Sequence, residues 1–178
     1  MVTNETLRRA VFLDRDGVLN RSNVRGGRPY APTVISDFTI LPEAPEAVSR
    51  LRAAGFLAIV VTNQKDVGRG IVSQNVMAAM HDELRTRIPV DGIEVCTCID
   101  DCPCYKPNPG MLFDAAAEWK IDLSVSYMVG DRWRDVGAGV NAGCFTIFLD
   151  RGYEEPLRDK PDRTVADVSE AADLILTE

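Results

Sequence analysis

Val11-Phe12-Leu13-Asp14-Arg15-Asp16-Gly17-Val18-Leu19-Asn20 sets an apolar run directly before two aspartates and a glycine. A short apolar run bounded by a turn signal is the pattern of a buried strand, so Ala10 to Leu13 is expected as a strand that ends at Asp14. Downstream, apolar runs alternate with helical patterns, which predicts βαβ units and a parallel sheet. Pro45 to Ala54 reads as a helix closed by Gly55, and Phe56 to Val61 as a strand running into the polar loop Thr62 to Gly70. Ser73 is the expected N-cap of a helix reaching Arg87, Ile93 to Val95 a further strand, and Pro109 the first turn of a helix to Trp119. Ser126 to Val129, a helix to Asn141, the strand Cys144 to Leu149 and a terminal helix Glu170 to Leu176 complete an α/β fold. Asn20 to Pro42 shows no clear period and carries Arg21, Arg25 and Arg28. Long irregular loops of this kind tend to be functional.

The 178 residues suffice for one core, and no linker or repeat divides them, so a single domain spanning 1–178 is expected. Twenty Lys and Arg against 27 Asp and Glu leave a net charge of -7. That balance opposes nucleic-acid and anionic-membrane binding, which need a basic footprint. The longest apolar stretch, Phe56 to Val61, is far too short to span a bilayer. Met1 to Arg9 is polar and lacks the apolar core of a secretory signal, so the expected location is cytoplasmic. No apolar stripe is evident from periodicity, and a monomer is expected.

Ligands of parallel α/β sheets bind outside the carboxyl ends of the strands. Asp14 and Asp16 fall there, followed by Thr62 and Asn63, then Lys106, then Asp131 and Asp135. Carboxylates alone repel phosphate, but carboxylates with a divalent cation and a lysine make a phosphoryl-transfer site. Hard oxygen ligands with room for water and phosphate describe Mg²⁺. His81 is the only histidine and sits mid-helix, which removes phosphohistidine and Ser-His-Asp chemistry. It is expected to have no catalytic role.

Four of the five cysteines fall within nine residues: Cys96, Cys98, Cys102 and Cys104. Disulfides gain most by closing long loops, so a tight cluster without an export signal points to metal, with free thiols or a redox pair as the alternatives. Four thiolates suit a tetrahedral structural zinc in a loop spanning 96–104. Cys144 begins an apolar strand and reads as a packing residue.

Val11 to Asn20 resembles the first motif of the haloacid dehalogenase superfamily of phosphatases. The other motifs follow in order as Val61-Thr62-Asn63-Gln64, Tyr105-Lys106-Pro107-Asn108-Pro109-Gly110-Met111 and Gly130-Asp131-Arg132-Trp133-Arg134-Asp135. The resemblance implies a Rossmann-like three-layer sandwich and an aspartyl-phosphate mechanism. Asp14 would be the nucleophile, already ionised at neutral pH since an ordinary aspartate titrates near ~3.9. Asp16 would act as general acid and base, for which a crowded acidic site would raise its pKa. Thr62 and Lys106 would stabilise the transferring phosphoryl group. Mg²⁺ would be held by Asp14, the backbone carbonyl of Asp16, and Asp131, with Asp135 orienting Lys106 or a water. Asn63, Gln64, Tyr105, Arg132 and Arg25 are the candidate substrate contacts.

Gly68-Arg69-Gly70 and the cysteine cluster directly before Lys106 are similar to a narrower group, the heptose 1,7-bisphosphate and histidinol-phosphate phosphatases. Members usually bind structural zinc through a Cys-x-His and a Cys-x-Cys pair; here Cys98 replaces the histidine and the loop is shortened. The resemblance implies a heptose bisphosphate that loses its 7-phosphate, with histidinol phosphate or another small sugar phosphate as the alternative. Heptose phosphatases usually carry arginine where this chain has Tyr105. A phenol cannot reproduce the bidentate phosphate contact, so either the loop arginines take it over or the preferred substrate differs. The intervals between Asp16 and Thr62 (45 residues) and between Thr62 and Lys106 (43 residues) each hold core elements and leave no room for a separate cap domain.

Overall fold

The computed structural model describes residues 7–99 and 102–178, so the polar stretch Met1 to Arg9 falls largely outside the described residues. Its centre is β1 (Ala10–Leu13), with every residue buried. Period-2 alternation sends Val11 and Leu13 to one face of the sheet and Ala10 and Phe12 to the other. Because both faces are covered, the strand is apolar throughout, which is why it is legible as a continuous run.

The chain next forms a short hairpin, β2 (Asn23–Arg25) and β3 (Arg28–Tyr30), then α1 (Ala44–Ala53) and β4 (Leu57–Asn63). A four-residue helix, α2 (Lys65–Gly68), precedes α3 (Gln74–Arg87), whose Ser73 hydroxyl accepts from the Val76 amide as the expected N-cap. The remainder is β5 (Gly92–Cys96), α4 (Gly110–Trp119), β6 (Tyr127–Gly130), α5 (Trp133–Ala142), β7 (Phe145–Leu149), β8 (Arg163–Val165) and α6 (Val168–Thr177). Among the described residues the main sheet runs β5-β4-β1-β6-β7-β8, and every pairing in it is parallel. One core packs α1, α3 and α6 against one face, and α4 and α5 cover the other. This is the parallel α/β sheet that the sequence pattern predicts, in the three-layer sandwich that the resemblance implies.

Three local expectations are corrected. The Asn20 to Pro42 stretch is not irregular, for it contains the hairpin; its Gly26-Gly27 turn has positive φ at both glycines, the conformation a tight hairpin requires. Three-residue strands with exposed side chains carry too little period to be read. The strand β4 extends through Asn63, so Thr62 and Asn63 belong to the strand end and not to a loop. Finally, the partly exposed edge strand β8, three residues long, lies outside the strands that periodicity predicts. No helix among the described residues is long and apolar enough to cross a membrane.

Candidate active site

Sheet order reverses at β1. The chain leaves it for β4 and β5 on one side, then crosses to β6, β7 and β8 on the other. A crevice therefore opens at the carboxyl end of β1, and Asp14 is the residue that emerges into it. Lys106 Nζ donates to Asp14 Oδ1 at 2.8 Å, to Asp135 Oδ1 at 2.7 Å and to the Val61 carbonyl at 2.7 Å. Lys106 is only 2% exposed, so its three donors are all used inside the protein. Burial lowers an ammonium pKa, but the Asp135 and Asp14 charges outweigh it and hold Lys106 firmly protonated.

Asp14, Asp131 and Asp135 bring carboxylate oxygens within 4.8 Å of one another, all buried. Burial, then the charges of Asp135 and Asp16 offset in part by Lys106, pushes the Asp14 carboxyl up to about 7. Burial and the Asp14 and Asp135 charges likewise push Asp131 well above its ordinary range. Neither oxygen of Asp131 has a hydrogen-bond partner, while the nearby Tyr153 hydroxyl offsets part of the upward push. Orphaned, buried, hard oxygens beside two further carboxylates fit a divalent cation such as Mg²⁺. Asp135 also caps α5, its Oδ2 accepting from the Arg132 amide at 2.9 Å.

The structure treats the paired aspartates differently. Asp16 does not join the carboxylate group. Its oxygens accept from Arg15 Nε and Nη2 at 3.0 to 3.2 Å, from Asn20 Nδ2 at 2.9 Å and from Gln64 Nε2 at 2.8 Å. The acidic crowding expected around Asp16 falls on Asp14 and Asp131 instead, because Arg15 turns Asp16 away. Thr62 is buried and accepts from the same Gln64 amide at 2.9 Å.

Asn63 binds Lys106 on both sides of its backbone: Oδ1 accepts from the Lys106 amide and Nδ2 donates to its carbonyl, each at 3.1 Å. Asn63 and Gln64 therefore line the cleft with their amides already engaged. Tyr105 and Arg132 also line it, and Arg132 is held by both oxygens of Glu155 at 2.9 and 2.6 Å. Arg25 does not line it. In the hairpin register Arg25 lies opposite Arg28 and over the Tyr30 ring, and Arg28 is the arginine that reaches the cleft. The cleft holds about 540 Å³, with Lys65, Arg69, Arg134 and Arg158 also on its walls. The residues that sequence reasoning missed are Arg15, Tyr153 and Glu155. The last two follow β7, and the strand-end rule applied to that strand would have found them.

The cysteines do gather. Sγ atoms of Cys96, Cys98, Cys102 and Cys104 all lie within 4.8 Å of one another. Cys96 with Cys104 and Cys98 with Cys102 are in disulfide contact, while the Cys96–Cys102, Cys98–Cys104 and Cys102–Cys104 sulfurs are 3.6, 3.7 and 3.4 Å apart. Those three separations approach the edges of a tetrahedron with metal–sulfur bonds of about 2.3 Å. The loop is fastened to the active site: the Tyr105 amide and the Asn108 side chain both bond the Cys102 carbonyl, at 3.0 and 2.8 Å. A Cβ at Gly110 would meet the Pro103 carbonyl oxygen at 2.2 Å, and one at Gly68 the Thr97 oxygen at 1.9 Å. Gly68 is therefore a packing contact against the cysteine loop as well as part of a turn.

Residues 103–171 match the HAD-hydrolase-like family. The D-glycero-beta-D-manno-heptose-1,7-bisphosphate 7-phosphatase of Pasteurella multocida is 36% identical over 149 residues, which cover 76% of this chain and 78% of that protein. The D-glycero-alpha-D-manno-heptose-1,7-bisphosphate 7-phosphatase of Burkholderia mallei is 35% identical over 155 residues, covering 79% of each chain. The chain belongs to the HAD-like phosphatases. A crystal structure of a D,D-heptose 1,7-bisphosphate phosphatase from B. bronchiseptica, complexed with magnesium and phosphate, matches this HAD-like fold with a TM-score of 0.81. That match has 29% identity over 95% of this chain and 98% of the other.

Proposed function

We propose that this phosphatase removes the 7-phosphate of D-glycero-D-manno-heptose 1,7-bisphosphate through an aspartyl-phosphate on Asp14, with Mg²⁺ at Asp14, the Asp16 carbonyl and Asp131. The observation that carries the reading is the Asp14–Lys106–Asp135 chain of contacts at the point where the sheet order reverses. Support for the substrate comes from the relatives' names and from a cleft whose size suits a small sugar phosphate. When bound, the cation neutralises the carboxylates and the phosphate oxygens so that the two can meet.

Asp14 attacks phosphorus while Lys106 offsets the charge of nucleophile and phosphoryl group. Asp16, whose carboxylate rests paired with Arg15, takes up the proton of the substrate's monoprotonated phosphate, gives it to the leaving sugar oxygen as the P–O bond breaks, and later takes a proton from the water that cleaves the acyl phosphate. The Thr62 hydroxyl accepts from Gln64 and keeps its own hydrogen for the phosphoryl group. Asp135 orients Lys106. Tyr105, Arg132 and Arg28 contact substrate, with the remaining wall cations serving the distal phosphate. The four cysteines, reduced in the cytoplasm, hold a structural zinc that stiffens the Tyr105–Lys106 loop. The protein works as a single-domain monomer.

A second reading, histidinol phosphate, draws on Tyr105 and Trp133, two aromatic residues among those that line the cleft. Phosphate release with Mg²⁺ from both anomers of the heptose bisphosphate and from histidinol phosphate separates the two. A large kcat/KM preference for a heptose bisphosphate, lost in Asp14→Asn, supports the first reading. Equal low rates on all three reject it.

A further inference from the structure

Arg15 is fully buried, stands between the two site aspartates and does not line the cleft. Its guanidinium faces inward: Nε and Nη2 hold both oxygens of Asp16, the Phe38 ring lies 5.4 Å away, and Nη1 meets Nε2 of His81 at 3.2 Å. His81 comes from α3, an element with no other side chain in the reaction scheme. Burial first, then the Arg15 and Arg85 charges, pushes the His81 pKa down to about 4. The ring is therefore neutral at physiological pH, and because a guanidinium can only donate, Nε2 is the acceptor towards Arg15 and the ring hydrogen sits on Nδ1.

We propose that His81 is a positioning residue that acts through Arg15 to set the orientation of Asp16. The inference rests on the reading of Asp16 as the proton donor. A buried guanidinium must have acceptors for its N–H groups, since leaving one unsatisfied is costly. Among the described residues His81 is the acceptor that faces Nη1. Without it, Arg15 turns to satisfy Nη1 elsewhere. The rigid fork that pairs with Asp16 turns as well. Asn20 and Gln64 hold Asp16 too, but each through a single amide hydrogen. They restrain its position more than its plane. Proton donation depends on that plane, because small misplacements of a catalytic group cost large factors in rate.

The test compares His81→Leu, which removes the acceptor, with His81→Gln, which returns an amide oxygen. Each is assayed on an alkyl phosphate, the heptose bisphosphate, and on p-nitrophenyl phosphate, whose leaving group departs without a proton. The parameter is kcat/KM, which reports transfer to Asp14 and not the hydrolysis step common to both substrates. For His81→Leu the expected result is a fall of roughly tenfold or more on the alkyl phosphate, against less than about threefold on the aryl phosphate, with partial recovery in His81→Gln. An equal loss on both substrates, or no loss, in a protein that melts cooperatively overturns the proposal. Should His81→Leu fail to fold, His81→Asn, whose amide falls short of Nη1, gives the same comparison. Asp16→Asn is run alongside. If it shows no leaving-group discrimination, the acid reading of Asp16 falls and the role of His81 falls with it. If Asp16→Asn discriminates and the His81 variants do not, only the His81 role is lost.

Discussion

The side-chain amide of Asn63 is paired with both backbone polar groups of Lys106, at 3.1 Å each. The end of β4 and the loop after the cysteines thus behave as one rigid piece, although the two residues lie 43 positions apart. Asn63→Ala removes both bonds while leaving the lysine in place. Two hydrogen bonds at about 1 kcal/mol each predict a loss of about 2 kcal/mol of stability by denaturant titration. Turnover is expected to fall by roughly tenfold or more, since Lys106 Nζ loses its fixed approach to Asp14. Wild-type turnover in Asn63→Ala would show that the loop is held by other contacts.

Gly17 has φ +89°, and a Cβ there would fall 1.8 Å from Asp131 Oδ2. Gly17→Ala combines backbone strain with displacement of a carboxylate at the proposed cation site. The expected cost is about 2 kcal/mol or more in stability. Apparent Mg²⁺ affinity, read from activity against Mg²⁺ concentration, should weaken sharply. An unchanged Mg²⁺ dependence would argue against Asp131 as a ligand.

Cation binding and pH are linked through the raised carboxyls. Asp14 titrates near 7 in the folded protein and in the ordinary range of 3.8 when unfolded. Between those values the folded state holds the extra proton, so this group's contribution to stability is complete at low pH and is lost as pH rises towards 7. Added Mg²⁺ favours the ionised form and reverses the loss. The rise in melting temperature on adding Mg²⁺ is therefore expected to be larger at pH 7.5 than at pH 5. Equal shifts at the two pH values would mean that Mg²⁺ binds away from this cluster.

Removal of the proposed zinc should act at a distance. The Cys102 carbonyl accepts from the Tyr105 amide and from Asn108, so loosening the thiolate cluster loosens the segment carrying Lys106. A zinc chelator, followed by excess Mg²⁺, is expected to leave the sheet folded by circular dichroism while turnover falls roughly tenfold or more and returns with added zinc. Full activity in a protein shown by metal analysis to lack zinc would confine the cluster to a purely local role.

Much of this is readable from the chain alone. β1 and β4 are apolar over nearly their whole length because both sheet faces are covered, and such runs announce buried parallel strands. Asp14, Lys106 and Asp131 sit immediately after strands or at the close of the cysteine cluster, so the strand-end rule locates them before any coordinates. The hairpin β2–β3 and the edge strand β8 escape because strands of three residues carry no usable period.

Local order along the chain determined the fold class, the carboxylate–lysine set and the cysteine cluster, since each depends on residue type and spacing within a few positions. Tertiary structure decided what those residues touch. It turned Asn63 and Gln64 inward as braces, put Arg28 in the cleft where Arg25 was expected, and separated Asp16 from Asp14 by giving it Arg15. It also brought His81, 66 positions from Arg15, to within 3.2 Å of that guanidinium. The reason is physical: buried donors and acceptors must pair with whatever the packing of distant elements brings near. That choice is made by the whole fold and leaves no trace in local sequence pattern.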